Sequence, residues 1–583
     1  MISGYPRPQL VRAGHVRLDG EWGYATDPDD IGLAAHWESA PEAFARTITV
    51  PFPPETPASG VGEDPDGALW YRREFAVDTV SPGRLLLHFE GVDHSASVWL
   101  NGVRIGDHEG SQARFTVDGT HVVQPGVNVL VVRVVDDPGD LEQPRGKQDW
   151  QPDPHVIWYR RTSGIWRSVW WEWVPATRID RLLLTPGEDL RTVGLSVSIA
   201  GPLTQDMTLG VELTLGPDTL ARAELAVTSG TLAATLTVDD PRVDAEPDRI
   251  LWSPDSPTLV DARFELRQGG DRLDVVTSYL GLRSVATDHS RVLLNGRPLF
   301  LRAVLEQGYW PETHLASPST ADLEREVQLI RELGFNGLRM HQTSADPRFL
   351  ECCDRVGLVV LADAAAAYRF SPVALSRTSA ELAALVARDA GHPSVIGWVA
   401  FNESWGLPGL QVSRREQHAV EALYHYLKAL DPTRLVIGND GWHFTAGDLV
   451  GIHDYTHDPR LLARRYGSPE QVRAALRSEQ PAGRPLVLPP GQAVAAAVPV
   501  LLSEFGGLNV HTDDGAWSGY GEVITATQLP QSFGELLSSV GPDSGLAGYC
   551  YTQLTDTAQE KNGLLTECRE HKAAPSLLRS ARG

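Results

Sequence analysis

The chain has 583 residues, too many for a single hydrophobic core, so its length predicts three or four domains. Its formal net charge of −24 argues against nucleic-acid binding, because contacts to phosphates need clustered lysine and arginine. No stretch is long and apolar enough to span a bilayer, and the first residues lack the basic and apolar regions of a signal peptide. The four cysteines lack the spacing of metal ligands. We therefore expect a cytoplasmic protein with no nucleic-acid or membrane partner.

Residues 1–175 have the pattern of an all-β domain. Short runs rich in β-branched and apolar residues are separated by turn signals, and no helical pattern lies between them. In one case Asn101-Gly102 separates Val98-Trp99-Leu100 from Val103-Arg104-Ile105, and both turn residues tolerate the positive φ of a tight hairpin. Many short strands at this spacing predict a jelly roll or a sandwich.

The pattern of residues 176–285 is also β, and its length of about a hundred residues predicts an immunoglobulin-like β-sandwich. From residue 286 short apolar runs alternate with helical patterns such as Ala321–Leu333 and Glu416–Leu430, which is typical of parallel β/α units. The interval between the fifth and sixth strands is too short for a full helix. Eight candidate strands within residues 286–583 nevertheless predict a (β/α)8 TIM barrel: Leu299–Val304, Phe335–Met340, Leu358–Asp363, Val395–Asn402, Arg434–Asn439, Asp448–His453, Val500–Glu504 and Ala547–Gln553.

Polar side chains stand at the carboxyl ends of most of these strands, where the catalytic groups of TIM-barrel enzymes lie. One polar strand end is weak evidence, but seven together favour a site at the mouth of the barrel. No trio of residues has zinc-ligand spacing and no glycine-rich phosphate loop is present, so the chemistry requires no metal or cofactor. The candidate site residues are Arg339, His341, Asp363, Asn402, Glu403, Trp405, His453, Tyr455, Glu504 and Gln553.

Two of these candidates, Glu403 and Glu504, end strands four and seven on opposite sides of the barrel mouth. Retaining glycoside hydrolysis uses two carboxyl groups about 5–5.5 Å apart, one as nucleophile and one as acid/base. Asn402 suits a contact to a sugar 2-hydroxyl, so we expect Glu403 to be the acid/base, the less exposed of the two, with a raised pKa. Glu504 is then the ionised nucleophile, held by Arg339 or Tyr455. The alternative for either glutamate alone is an ion pair at the barrel rim.

The two histidines each have two interpretations. His341 could donate to a sugar hydroxyl or orient Glu403, and His453 could line the sugar site with Tyr455 beside Glu504. The alternative for both is a structural histidine with satisfied hydrogen bonds, but their positions at strand ends favour the functional interpretation.

Six short motifs stand out along the chain: Trp70–Arg73, Arg161–Trp166, Phe300–Arg302, Gly334–Asn336, Phe401–Gly406 and Ser503–Gly507. At these motifs the sequence resembles glycoside hydrolase family 2, the family of β-galactosidases, β-glucuronidases and β-mannosidases. The resemblance covers nearly the whole chain and implies an exo-acting retaining hydrolase, which releases one terminal sugar from a glycoside or oligosaccharide through a glycosyl-enzyme. It allows Mg²⁺ or Na⁺, which some relatives bind, and leaves a homo-oligomer open. It further implies that residues 1–175 are a jelly-roll sugar-binding domain, that Phe401–Gly406 is the acid/base motif and that Ser503–Gly507 is the nucleophile motif.

Two departures from the family pattern bear on the substrate. Relatives that act on glucuronides carry an Asn-x-Lys element shortly after strand eight, but this chain has Glu560-Lys561-Asn562-Gly563-Leu564. The change favours a neutral sugar and a β-galactosidase-like activity, although Lys561 remains a candidate to reach an anion. Ala364–Ala367 replaces a glutamate and bulkier residues, so it either leaves room for a larger aglycone or begins the next helix. The alternatives are a β-glucuronidase or β-mannosidase, a transglycosidase, and a non-catalytic carbohydrate-binding protein on a hydrolase scaffold.

Overall fold

The computed structural model of the protein describes residues 4–510, 520–521 and 523–580. It has the predicted fold class, with a β jelly roll, an immunoglobulin-like β-sandwich and a TIM barrel in that order along the chain. Within the described residues, every helix is too short or too polar to cross a membrane.

The jelly roll consists of a six-stranded sheet in the order β3-β2-β4-β10-β7-β8, a four-stranded sheet in the order β1-β12-β5-β9, and the short pair β11-β6. The predicted hairpin at Asn101-Gly102 is confirmed, because these residues join β7 to β8 with φ angles of 50° and 79°. The strands are β1 Val16–Arg17, β2 Gly20–Asp27, β3 Arg46–Val50, β4 Ala68–Val77, β5 Arg84–Phe89, β6 Val92–Asp93, β7 Ser95–Leu100, β8 Val103–Glu109, β9 Phe115–Asp118, β10 Gly126–Val135, β11 Gly164–Ile165 and β12 Val169–Val174.

The immunoglobulin-like sandwich pairs the sheet β13-β14-β17 with the sheet β16-β15-β18-β19. Every second residue of β15 is buried, from Met207 to Leu213, so the alternating pattern of the sequence marks the face that packs into the core. The elements are β13 Arg178–Pro186, β14 Thr192–Ala200, β15 Met207–Leu215, β16 Asp218–Ala226, β17 Thr231–Thr237, the one-turn helix α1 Arg242–Ala245, β18 Val260–Gln268 and β19 Asp271–Leu280.

A small antiparallel sheet of β20 Val285–Thr287, β21 Val292–Leu294 and β22 Arg297–Leu299 precedes the barrel. Its presence corrects the predicted first barrel strand, because β22 pairs back onto β21 and the barrel strand begins only at Leu301. The barrel strands are β23 Leu301–Glu306, β24 Gly337–Met340, β25 Val359–Asp363, β26 Val395–Val399, β27 Leu435–Ile437, β28 Val450–Asp454, β29 Val500–Gly506 and β30 Gly548–Thr552.

Neighbouring barrel strands run parallel from β27 through β23 and β30 to β28. β27 and β28 are the two ends of the eight-stranded sheet, and Gly447 in the segment between them forms an antiparallel bridge with Ile437, so the barrel is nearly closed. The connection between these two strands contains no helix, as its length predicts. The barrel interior below the mouth is filled by apolar side chains such as Leu361, Ile396 and Leu501, which leaves the polar residues at the carboxyl ends.

Serine or aspartate N-caps begin most of the barrel helices, because their side chains accept a hydrogen bond from a free backbone N–H of the first turn. Ser319 caps α2 and Ser413 caps α5, the two helices that the sequence predicted. The helices are α2 Thr320–Glu332, α3 Pro347–Val356, α4 Pro372–Asp389, α5 Arg414–Leu430, α6 Pro459–Tyr466, α7 Pro469–Ser478, α8 Gln492–Ala495, α9 Leu529–Ser539 and α10 Pro575–Ser580.

The connection between β10 and β11 leaves the jelly roll and packs against the mouth of the barrel. We call residues 136–163 the arm. The backbone N–H groups of Arg145 and Gly146 both donate to the carbonyl of Ala366 at 3.0 Å. Gly146 has a φ of 63°, and a Cβ at this position would collide with the carbonyl of Gln342, so the close approach requires glycine. The first domain therefore forms one wall of the barrel mouth.

Candidate active site

Arg339, at the end of β24, is the centre of a buried charged cluster and is itself fully buried. Its Nε donates to Asp363 at 3.0 Å and its Nη2 donates to Asn402 Oδ1 at 2.8 Å. Its Nη1 contacts Asp440 at 2.6 Å and Glu504 at 3.0 Å. Although burial opposes the charge, the surrounding carboxylates raise the pKa of Arg339 well above its ordinary value. One guanidinium thus fixes residues from the ends of four other strands or their loops.

His341 lies beside this cluster and hydrogen bonds through Nδ1 to Asp363 at 2.9 Å. Burial, followed by the charge of Arg339, lowers the pKa of His341 well below its ordinary value, so the imidazole is neutral. Its Nε2 lies 3.3 Å from the side-chain amide of Gln342. The expectation that His341 orients Glu403 is therefore wrong, because its two ring nitrogens face other groups.

Glu504 lies within β29 and is 5% exposed. Both groups expected to hold it are in place, since Arg339 donates to one carboxylate oxygen at 3.0 Å and the Tyr455 hydroxyl donates to the other at 2.5 Å. The ring of Tyr455 stacks on that of Tyr520 with a centroid separation of 4.0 Å. These contacts hold the carboxylate in one orientation, as a nucleophile requires.

Glu403 follows β26 in a backbone conformation that is rare for residues other than glycine. Glu403 and Ser404 have φ angles of 52° and 59°, in the left-handed region, and the Glu403 N–H donates to the carbonyl of Asp440 at 2.9 Å. Strained backbone of this kind is concentrated at functional sites, where the surrounding structure imposes it. The result is a sharp turn that exposes the Glu403 carboxylate at the barrel mouth.

The electrostatic environment of Glu403 differs from the expected one. Its side chain is 14% exposed and that of Glu504 is 7% exposed, so Glu403 is the more accessible of the two. Burial raises the pKa of Glu403, but the hydrogen bond and charge of His453, with Lys147 further away, outweigh burial and lower it. The expected raised pKa is therefore wrong for the site without substrate. Trp405 adds a second hydrogen bond, from Nε1 to the Glu403 carboxylate at 3.3 Å.

His453 lies between three carboxylates. Its Nδ1 is 2.8 Å from Glu403 and its Nε2 is 2.8 Å from Asp440 and 3.4 Å from Glu504. Burial lowers the pKa of His453, but the charges of Glu504 and Asp440 raise it to about 10. The ring is thus an imidazolium at neutral pH that donates from both nitrogens.

One carboxylate oxygen of Glu403, one of Glu504 and one ring nitrogen of His453 all lie within 4.8 Å of one another. Three such ligand atoms could in principle hold a metal. The donor set does not fit Mg²⁺ or Na⁺, because these cations favour oxygen ligands and a protonated imidazole has no lone pair to offer. The geometry instead places two carboxylates at the separation that a single sugar ring can bridge.

The remaining candidates line or support the mouth. Gln553 is fully buried, where it accepts a hydrogen bond from Gln307 at 2.7 Å and donates to Asn562 at 2.8 Å. The ring of Trp405 packs edge-on against that of Trp158 in the arm, with a centroid separation of 5.2 Å. The aromatic wall beside Glu403 is therefore shared by the barrel and the jelly roll.

Ala364–Ala367 does not begin a helix, since α4 starts at Pro372. These alanines are buried, and the carbonyl of Ala366 accepts the two hydrogen bonds from the arm. A Cβ built on Gly146 would lie 3.5 Å from the Cβ of Ala365. The arm therefore packs closely against Ala365, and a larger side chain at position 365 would displace it. The expectation that these residues begin the next helix is therefore wrong, and part of the room beside Ala365 and Ala366 is occupied by the arm.

Two family descriptions match the chain: "Glycosyl hydrolases family 2, sugar binding domain" at residues 16–175 and "Glycosyl hydrolases family 2, TIM barrel domain" at residues 285–527. The chain belongs to glycoside hydrolase family 2.

Among the curated relatives in family 2, a β-galactosidase from Klebsiella pneumoniae is 28% identical over 74% of this chain and 43% of its own length. A putative β-glucuronidase from Formosa agariphila is 26% identical over 70% of this chain and 48% of its own length. The chain thus spans about half the length of these relatives. A solved family 2 β-galacturonidase from Eisenbergiella tayi is 20% identical, with a TM-score of 0.76 over 100% of this chain and 98% of the other.

The family 2 motifs point to the barrel residues, but three groups near the mouth were missed. Asp440 directly follows the predicted fifth strand and is not among the candidate residues, yet it pairs with both Arg339 and His453. Lys147 and Tyr159 belong to the arm, and no barrel pattern could have indicated that a jelly-roll connection reaches the site. The relevant signal would have been the length of the connection, because structureless loops of more than about 15 residues in a compact domain are often functional.

Proposed function

We propose that the protein is a retaining exo-glycoside hydrolase that releases a terminal neutral sugar, with a β-galactosidase-like activity favoured. The observation that carries the proposal is the separation of less than 4.8 Å between oxygens of Glu403 and Glu504. Retaining enzymes hold their carboxyl groups about 5–5.5 Å apart, whereas inverting enzymes leave about 6.5–9.5 Å for a water molecule. The pair in this chain has no room for that water.

In the proposed reaction Glu504 attacks the anomeric carbon, held by Arg339 and Tyr455. Glu403 protonates the departing oxygen and then removes a proton from the water that hydrolyses the glycosyl-enzyme. Glu403 has a lowered pKa in the free site, so it has to gain its proton when substrate binds. A sugar that covers the carboxylate and excludes water makes its charge more costly and favours the protonated form.

The charges around the pocket support a neutral sugar. Three cations face five carboxyl groups among the described side chains, which leaves an excess of two negative charges, or of one when Glu403 is protonated. A uronate would add a further negative charge to a pocket that already has an excess of negative charge. The groups counted are Arg339, His453, Lys147, Glu403, Glu504, Asp363, Asp440 and Glu560.

The element after strand eight gives the same indication. Lys561, the residue that remained a candidate to reach an anion, pairs with Glu567 at 3.1 Å and is part-exposed. The neighbouring Glu560 is 2% exposed and hydrogen bonds to Tyr159 of the arm. A carboxylate thus faces the barrel mouth where uronide-acting relatives place their Asn-x-Lys element. Among the relatives, the Klebsiella protein's name, β-galactosidase, agrees with this choice.

The test is a panel of 4-nitrophenyl β-glycosides that includes galactoside, glucoside, mannoside, xyloside and glucuronide. We expect the galactoside to be hydrolysed fastest, with the β-anomer of galactose as the first product in an NMR time course. Glu504→Ala should abolish turnover. Glu403→Ala should keep part of the rate on an activated aryl glycoside and regain more with azide, which attacks the glycosyl-enzyme without a base.

Wild-type rates in both variants would refute the assignment. Sugar binding without turnover of any substrate in the panel would favour the carbohydrate-binding alternative. Transfer to an added acceptor sugar in preference to water would identify a transglycosidase.

A further inference from the structure

The arm places a buried cation close to the proposed sugar pocket. Lys147 is 7% exposed, and its Nζ lies 5.2 Å from the centre of the Tyr159 ring. Within the described residues, its ammonium has no hydrogen-bond or ion-pair partner. Burial of an unpaired ammonium is costly, and such a group is retained where something else compensates its charge. Lys147 therefore points to a polar partner that arrives with the substrate.

Glu560 faces the same space. It is 2% exposed, and its two carboxylate oxygens accept hydrogen bonds from the hydroxyls of Tyr159 and Tyr520, the latter at 3.2 Å. Tyr520 stacks on Tyr455, whose hydroxyl donates to the proposed nucleophile Glu504. These residues form a continuous wall that begins beside Lys147 and ends at the atom expected to attack the sugar.

Lys147 and Glu560 are close but not in contact. No ion pair within 4.0 Å joins them, although Lys147 is the largest influence that opposes the raising of the Glu560 pKa by burial. A group that lies between an ammonium and a carboxylate must accept from the first and donate to the second. A hydroxyl does both, whereas a carboxylate would be attracted by Lys147 and repelled by Glu560.

We propose that Lys147 and Glu560 form a hydroxyl clamp, in which one hydroxyl of a neutral terminal sugar accepts a hydrogen bond from Lys147 Nζ and donates one to the Glu560 carboxylate. The clamp rests on the proposed function, because it assigns a recognition role within the same pocket. It makes the arm of the jelly roll a determinant of sugar specificity. It also explains why this chain has a glutamate, Glu560, where uronide-acting relatives carry the Asn-x-Lys element.

The test compares Lys147→Met and Glu560→Gln with the control Lys561→Met on 4-nitrophenyl β-galactoside and β-galacturonide, which differ only at the C6 carboxylate. Loss of a hydrogen bond to a charged group should raise the KM for the galactoside by about 10- to 100-fold in each pocket variant. The control should keep the wild-type KM, because Lys561 pairs with Glu567 outside the pocket. Glu560→Gln should also narrow the preference for the galactoside over the galacturonide.

Thermal unfolding separates recognition from a structural role. Lys147→Met removes an unpaired buried charge, so its melting temperature should equal or exceed that of the wild type. A lower melting temperature for Lys147→Met would make the lysine structural and overturn the clamp. A wild-type preference for the galacturonide that Lys147→Met abolishes would also overturn it, because Lys147 would then bind a carboxylate.

Binding measurements distinguish failure of the clamp from failure of the proposed function. Calorimetry with galactose on Glu504→Gln, with and without Lys147→Met, needs no turnover. Weaker binding in the double variant would support the clamp even if the wild type hydrolyses no aryl glycoside. Hydrolysis of the galactoside with an unchanged KM in both pocket variants would refute the clamp and leave the hydrolase assignment standing.

Discussion

Replacement of Arg339 by methionine tests the charged cluster on which the site is built. The guanidinium is fully buried and contacts Asp363, Asp440 and Glu504, so its removal leaves three carboxylates without their common cation. Removal of one partner from a buried ion pair costs about 3–5 kcal/mol. With an unfolding entropy of about 2.1 cal/mol/K per residue over a barrel of about 300 residues, this cost lowers the melting temperature by about 5–8 °C.

The loss should grow with pH. Burial raises the pKa of Asp363 to about 6 even with Arg339 present, while Arg339 and His453 overcome burial and hold the pKa of Asp440 well below its ordinary value. Without Arg339 the pKa of both carboxyl groups rises, and that of Asp363 moves further above its value in the unfolded chain. The folded variant then binds more protons than the folded wild type, so the loss of stability grows as pH rises through those pKa values.

Melting temperatures of wild type and Arg339→Met at pH 5 and pH 8 measure the loss of stability and its dependence on pH. The wild type should melt above the variant at both pH values, and the gap between them should be larger at pH 8. Arg325→Met is the matched control, because Arg325 pairs with Glu332 at 2.6 Å and both side chains are exposed, at 54% and 40%. An exposed pair contributes about 1 kcal/mol or less, so the control should melt within about 2 °C of the wild type. If Arg339→Met and the control have the same melting temperature at both pH values, the buried ion pairs of Arg339 do not stabilise the barrel.

Three further variants test single contacts. Trp405→Phe removes the hydrogen bond that helps to lower the pKa of Glu403, so the basic limb of the pH profile of kcat/KM should move to higher pH. An unchanged basic limb would mean that this hydrogen bond is not formed in solution. Tyr455→Phe removes a hydrogen bond to the charged nucleophile and should lower kcat by about tenfold or more with little change in KM, measured on the panel's best substrate. Gly146→Ala introduces a side chain at a residue in the left-handed region, against the barrel backbone, and should displace the arm. Because the arm carries Lys147, KM should rise by a larger factor than kcat falls. Unchanged kinetics would show that the arm does not contribute to substrate binding.

The sequence was sufficient to predict the three folds and the positions of the barrel strands. Strands β23 to β30 each lie within three residues of the predicted bounds, because a buried parallel strand is an apolar run ended by polar residues. The same rule placed the site residues, since the carboxyl ends of parallel strands meet at one mouth. The first strand begins two residues later than predicted, because Leu299 pairs with Val292 of β21.

Features that depend on distances between side chains could not be predicted. The pKa of Glu403 is set by His453 at 2.8 Å, which overrides the burial that suggested a raised value. The role of Ala364–Ala367 depends on a segment more than two hundred residues earlier in the chain, which packs on it through Arg145 and Gly146. Periodicity reports which face of an element is buried and carries no information about which distant loop covers it.

The central claim is that Glu504 forms the covalent bond to the sugar. The most direct measurement is inactivation with 2,4-dinitrophenyl 2-deoxy-2-fluoro-β-galactoside, or the matching fluoro sugar of the glycoside that the wild type turns over, followed by peptide mass spectrometry. The fluorine slows hydrolysis of the glycosyl-enzyme, so one sugar should remain attached to the peptide that contains Glu504. An adduct on Glu403, on another residue, or loss of activity with no adduct would contradict the assignment.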